Sequence, residues 1–162
     1  MVFVDFSTSS PNYNDRRGAD IDMVVLHYTD MANCHEAIAR LCDPKSEVSS
    51  HYVIRKDGKI FGLVNEKFRA WHAGVALWQG ASNINDRSIG IELDYPGHQA
   101  GLPPYPKQQI AALIALLHEI LPRHQIPPER VVGHEDVAPE RKIDPGENFP
   151  WQYLIKAGVA KR

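Results

Sequence analysis

Met23-Val24-Val25-Leu26-His27-Tyr28-Thr29 is a strongly β-prone apolar run that ends at a histidine. Its length suits a central strand, and Thr29-Asp30 opens a loop after it. Working outward, residues 32–42 carry Ala37, Ile38, Leu41 and Cys42 at helical spacing, which predicts a helix ending before Pro44. Residues 49–56 read as a second strand, Asp57-Gly58 as a hairpin turn, and residues 59–64 as the return strand. In residues 88–95 the residues alternate: Ile89, Ile91 and Leu93 on one face, Gly90, Glu92 and Asp94 on the other. Residues 107–124 hold Ile110, Leu113, Ile114, Leu117 and Leu121 on one stripe, the pattern of an amphipathic helix. Val131-Val132-Gly133-His134 is a short last strand, and residues 149–159 predict a closing helix with Pro150 at an early helical position. Strands and helices interleave around one hairpin. The expected fold is therefore α/β: a single domain, residues 1–162, with a central mixed β-sheet flanked by helices. The core is expected over 21–158, with the polar, turn-rich residues 1–20 as an arm over its surface.

Composition narrows the function. A chain of 162 residues is long enough for a core that needs neither disulfide nor metal to fold. The net charge of -2 and the absence of Lys/Arg-rich runs argue against nucleic acid as a partner. No apolar run has the length of a membrane span. Cys34 and Cys42 are the only cysteines, both on the first predicted helix, and read as ordinary reduced thiols. The start at Met1 lacks a signal peptide's basic segment and long apolar core. As written, this predicts a cytoplasmic protein, and a periplasmic one if an export signal belongs ahead of it. No exposed apolar seam can be read, so a monomer is expected.

Eight histidines are more than packing usually asks for. His27 ends the first strand and His134 the last. Asp144 follows His134 in a loop rich in ionisable groups. Imidazole and carboxylate are both zinc ligands, and a catalytic zinc keeps three protein ligands and one open position. His27, His134 and Asp144 are thus the candidate metal ligands, with Zn2+ as the cofactor. No local motif links them. They are joined only by their place at strand ends, which can meet at one edge of a sheet. Glu92, on the polar face of its strand, is the candidate general base. Lys142, two residues before Asp144, is the candidate oxyanion partner. Each also has a plainer reading: a hydrogen-bonded core histidine, a solvated strand residue, a surface charge near Asp144. Trp71, His72 and Asn85, in segments rich in small and polar residues, are the candidate substrate contacts, with Trp78 nearby. For His72 a packing role is an equal alternative, and for His51 a structural role is favoured.

These segments, in this order, resemble the type 2 zinc-dependent N-acetylmuramoyl-L-alanine amidases, and within them the AmpD-like bacterial branch. The resemblance runs from about residue 23 to about residue 155. It rests on Val25-Leu26-His27-Tyr28-Thr29, Ser49-Ser50-His51-Tyr52-Val53-Ile54, Arg69-Ala70-Trp71-His72-Ala73-Gly74, Asn85-Asp86-Arg87-Ser88-Ile89-Gly90-Ile91-Glu92, and Gly133-His134 with Arg141-Lys142-Ile143-Asp144-Pro145-Gly146. It implies the peptidoglycan-recognition-like fold and zinc held by His27, His134 and Asp144. It also implies assistance from Glu92 and Lys142, and peptidoglycan or a muropeptide as the substrate. The bond cut would be the amide joining the lactyl group of N-acetylmuramic acid, or its anhydro form, to L-alanine of the stem peptide. Animal recognition proteins and short phage amidases usually carry cysteine where Asp144 stands, which favours the AmpD-like branch. Relatives with a catalytic tyrosine just before the residue matching His51 differ from this chain, which has Ser50 there, and this leaves Glu92 as the base. A non-catalytic module of the same fold, binding peptidoglycan fragments, is the alternative.

Overall fold

The structure is a computed structural model that describes residues 2–162. In chain order the elements are β1 (Val4–Asp5), β2 (Tyr13–Asn14), β3 (Met23–Tyr28), α1 (Cys34–Cys42), β4 (Tyr52–Ile54), β5 (Ile60–Gly62) and β6 (Arg69–Ala70). There follow α2 (Ile84–Arg87), β7 (Ser88–Leu93), α3 (Lys107–His124), β8 (Val131–Gly133), α4 (His134–Val137) and α5 (Trp151–Lys156).

Six strands form one mixed sheet in the order β1-β5-β4-β7-β3-β8, and β2 pairs with β6 apart from it. β3 lies between β7 and β8, parallel to both. β4 is parallel to β7 and antiparallel to β5, across the hairpin that Asp57-Gly58 turns. The Val/Leu run of β3 takes this central place because it is apolar on both faces, as a strand covered twice must be.

Val24, Leu26, Ile89, Ile91, Leu93 and Val131 point to one face. There they meet the α3 stripe of Ile110, Leu113, Leu116, Leu117, Ile120 and Leu121 in one apolar cluster. Fully burying a side chain of this size contributes about 1.5–3 kcal/mol, so this face supplies most of the apolar stabilisation. The opposite face carries two smaller clusters. Met23, Val25, Ala73, Ile84 and Val132 form one. Cys34 and Leu41 of α1, with Val53 and Leu63, form the other. Between them lie polar residues, and the site is built there.

Residues 2–20, expected to lie over the surface as an arm, are tied in more closely. β1 extends the sheet beside β5, and β2 pairs with β6. Arg16, 5% exposed, donates to the carbonyls of Glu66, Asp86 and Ser88. Its five donors satisfy backbone that would otherwise be buried without partners. The closing helix is shorter than expected. Pro150 stands at its cap, and Gly158, at φ 74°, follows its last turn. Residues 77–86 run into α2, whose Ile84, Asn85 and Asp86 are buried. Among the described residues no helix is long and apolar enough to cross a membrane.

Candidate metal centre and cleft

Three parallel strands deliver the centre to one edge of the sheet. His27 lies opposite Glu92 in the β3–β7 register. Leu26 lies opposite Gly133 in the β3–β8 register, so His134, the next residue, enters α4 at the level of His27. Carboxyl ends of strands are where open α/β sheets hold ligands. Asp144 arrives from the loop beyond α4. Its carbonyl accepts from the Glu135 N–H at 2.9 Å, folding the loop back on the helix. Gly133 allows the approach, because a β-carbon there would lie 2.7 Å from Pro145 Cδ.

His27 Nδ1 and His134 Nδ1 are 2.9 Å apart, and each lies 3.2 Å from Asp144 Oδ2. The three residues are only 2%, 3% and 7% exposed. His134 Nε2 is 3.0 Å from the Ala73 carbonyl, which can only accept, so Nε2 donates there and Nδ1 is the nitrogen turned to the trio. Burial, and then the nearness of His134, lower His27 to about 4, which keeps it neutral at pH 7. Two imidazoles and a carboxylate at this spacing can hold a metal ion. A tetrahedral ion bound at roughly 2.0–2.1 Å sets its ligands roughly 3.3 Å apart, close to the spacing here. The residues therefore fit such an ion.

The trio opens on a cleft of about 360 Å³, whose walls include Tyr28, Arg40, Trp71, Glu92, Arg141 and Lys142. Glu92 is partly exposed to it, while its Oε2 is shut from solvent with no hydrogen-bond partner among the described residues. Burial, then the charge of Asp144, raise the Glu92 pKa well above the usual carboxylate range, and Lys142 pulls the other way. Lys142 is turned into the cleft by its own backbone, whose N–H donates to Ala138 at 2.9 Å as the chain leaves α4. Trp71 forms a wall, with its indole N–H held by Asn14 Oδ1 at 3.1 Å.

The other expected contacts divide. His72 lines the cleft from behind His27, 9% exposed, with Nδ1 3.0 Å from His27 Nε2. Asn85 is buried outside the cleft. Its Oδ1 accepts from the N–H groups of His72 and Ala73, so it holds backbone where substrate contact was expected. Trp78 packs under Arg130, away from the cleft. His51 is a structural residue: Nδ1 accepts from Gly90 N–H and Nε2 donates to Phe68, both at 3.0 Å. Burial, then Arg16, lower it to about 3. Ser50 is fully buried and donates to the Tyr52 carbonyl at 3.0 Å.

Two features escaped the sequence reading. Arg141 donates to the Ala73 and Val75 carbonyls at 2.7 and 2.8 Å, bracing the chain beside the centre. Tyr28, at the cleft wall, bonds His98 Nδ1 at 2.8 Å, and His98 Nε2 bonds Glu147 at 2.9 Å. His98 lies in a Gly/Pro-rich stretch with no periodic signal, so only the folded chain shows this link.

The family model described as N-acetylmuramoyl-L-alanine amidase matches residues 17–147. N-acetylmuramoyl-L-alanine amidase AmiD of Escherichia coli (strain K12) is 46% identical over 151 residues, 86% of this chain and 54% of AmiD. The chain thus spans about half the length of that relative. The 1,6-anhydro-N-acetylmuramyl-L-alanine amidase AmpD of Haemophilus influenzae is 35% identical over 167 residues, 91% of this chain and 89% of AmpD. Among solved structures, E. coli AmiD in complex with the substrate anhydro-N-acetylmuramic acid-L-Ala-D-gamma-Glu-L-Lys superposes with a TM-score of 0.81. It is 40% identical and covers 96% of this chain and 61% of its own. The chain belongs to the N-acetylmuramoyl-L-alanine amidase family.

Proposed function

We propose that the protein is a zinc-dependent amidase. It hydrolyses the amide between the lactyl group of N-acetylmuramic acid, or its anhydro form, and L-alanine of the peptidoglycan stem peptide. The observation that carries this is the meeting of His27, His134 and Asp144 with Glu92 and Lys142 at one cleft. Family membership supplies the bond. When bound by the trio, zinc lowers the pKa of its water and polarises the scissile carbonyl.

The chain's own residues supply the rest. Glu92 takes a proton from the attacking water as the carbon–oxygen bond forms. It passes that proton to the alanine nitrogen as the carbon–nitrogen bond breaks. Its raised pKa suits both halves, because a stronger base holds the proton until the amine needs it. Lys142 places a fixed positive charge where the carbonyl oxygen becomes negative. Trp71 offers an aromatic face to a sugar or peptide. One chain supplies every part, so a monomer suffices. A pure binding module would need no carboxyl with one buried, unpartnered oxygen beside a metal trio, and this favours catalysis over the binding alternative.

Mass spectrometry of a defined anhydromuropeptide, incubated with the protein with and without a zinc chelator, tests this. Separate sugar and peptide masses that vanish with chelator are the expected result. An uncut muropeptide with zinc bound moves the substrate to intact sacculi, to be tried next. Binding without cleavage of either one overturns the enzyme reading.

A further inference from the structure

We propose that the dipeptide His72-Ala73 is a positioning element that locks both imidazoles of the metal centre with Nδ1 bare. This rests on the metal reading above. The protons can be traced from the far end. Ser88 Oγ is 2.6 Å from the Ile84 carbonyl oxygen, and two oxygens so close share a proton that only the hydroxyl has. Ser88 therefore donates to Ile84 and must accept from His72 Nε2, 3.0 Å away.

His72 is 9% exposed, and among the described residues its ring bonds Ser88 and His27, with no carboxylate among these partners. A charged imidazolium there would be buried without a counter-ion, so the ring is neutral and its Nδ1 accepts. His27 Nε2 is then the donor across the 3.0 Å contact, and its Nδ1 faces the trio without a proton. The next residue does the same for the other ligand, since the Ala73 carbonyl accepts from His134 Nε2 at 3.0 Å. Arg141 donates to that same carbonyl at 2.7 Å and fixes its direction.

A single acceptor anchors both residues: Asn85 Oδ1 takes the N–H groups of His72 and Ala73 at 3.1 and 2.8 Å. Ser88 and Asn85 lie three residues apart at the α2–β7 junction, so one turn holds the whole device. Gly90 leaves space for the ring, because a β-carbon there would stand 2.4 Å from His72 Cγ.

Zinc affinity, measured by chelator competition, tests the proposal alongside near-UV circular dichroism. His72→Phe fills the same space with neither nitrogen, and is expected to weaken zinc binding on the order of 10–100-fold. His72→Asn can return an acceptor to His27 Nε2 and is expected to recover part of the loss. A folded His72→Phe with wild-type affinity overturns the proposal, and so do equal losses in the two variants. If His72→Phe does not fold, nitrogen-15 ring spectra of the zinc-loaded wild type decide. Nε2-protonated rings at His27 and His134 support the lock, and an Nδ1-protonated ring at either sinks it. A wild-type protein that holds no zinc overturns the metal reading and the lock together. Intact wild-type affinity with an indifferent His72→Phe removes the lock alone.

Discussion

On one face of the sheet, Val24, Leu26, Ile89, Ile91 and Leu93 meet the α3 stripe in a single apolar cluster. On the other, the same strands present His27, Gly90 and Glu92 between two small clusters, with His51 and His72 buried among them. The period of two along a strand makes this division possible, because neighbouring residues of β3 and β7 serve opposite faces. One face contributes burial, which is non-directional and tolerant. The other face holds polar groups whose partners must all be in place, since each buried one left unpaired costs about 1–3 kcal/mol. Stability and chemistry are therefore separable here, and substitutions on the two faces should fail in different ways.

The sharpest break is Asp144→Ala. It removes one of three ligands, and activity should fall more than about 1,000-fold with loss of retained zinc. The apolar face should keep the metal-free variant folded, as metal analysis and circular dichroism after dialysis would show. Activity persisting in folded, zinc-free protein refutes the centre. Glu92→Gln comes next: activity down on the order of 100- to 10,000-fold, zinc retained, and stability equal or higher because a buried carboxyl with an unpartnered oxygen is gone. A kinetic and melting comparison reads both at once. Leu117→Ala probes the other face. It should cost about 3 kcal/mol in urea unfolding, yet leave turnover unchanged at temperatures where the variant stays folded. A large loss of turnover there would erase the division of labour.

The smallest effect is in pH. His51 lies at about 3 in the fold, below its ordinary 6.5. Between those values the unfolded chain binds more protons than the folded one, so stability is present above pH 6.5 and lost as pH falls. His51 alone should remove on the order of 2 kcal/mol from the metal-free protein between pH 6.5 and pH 5. Urea midpoints that stay flat across this window would show that His51 is not held neutral.

The apolar face could be read almost directly, because periodicity reports burial: β3, β7 and the full span of α3 appear where the patterns place them. His27, Glu92 and His134 were legible because strand ends in register bring their residues together, and Asp144 because its loop starts from one of them. The rest depends on contacts with no sequence period. Asn85 reaches back 13 and 12 residues to hold the backbone of His72 and Ala73. A polar loop that lines a cleft and a polar turn that braces one have the same composition, which is why Asn85 and Trp78, outside the cleft walls, read the same in sequence as His72, which is part of them. Residues 2–20 looked like surface for a similar reason. Their Arg16 is a buried backbone partner, and composition registers it only as charge.

Gly90 and His72 are linked by more than proximity. A β-carbon at 90 and the ring at 72 cannot occupy the same space, so the two positions do not evolve independently. A lineage must give up the histidine before it can gain a side chain at 90. A lineage that has gained one cannot easily recover the histidine without first reverting. The order of substitutions is constrained like a ratchet. Related sequences that carry a residue other than glycine at the position of Gly90 should be those that have also lost the ring at 72.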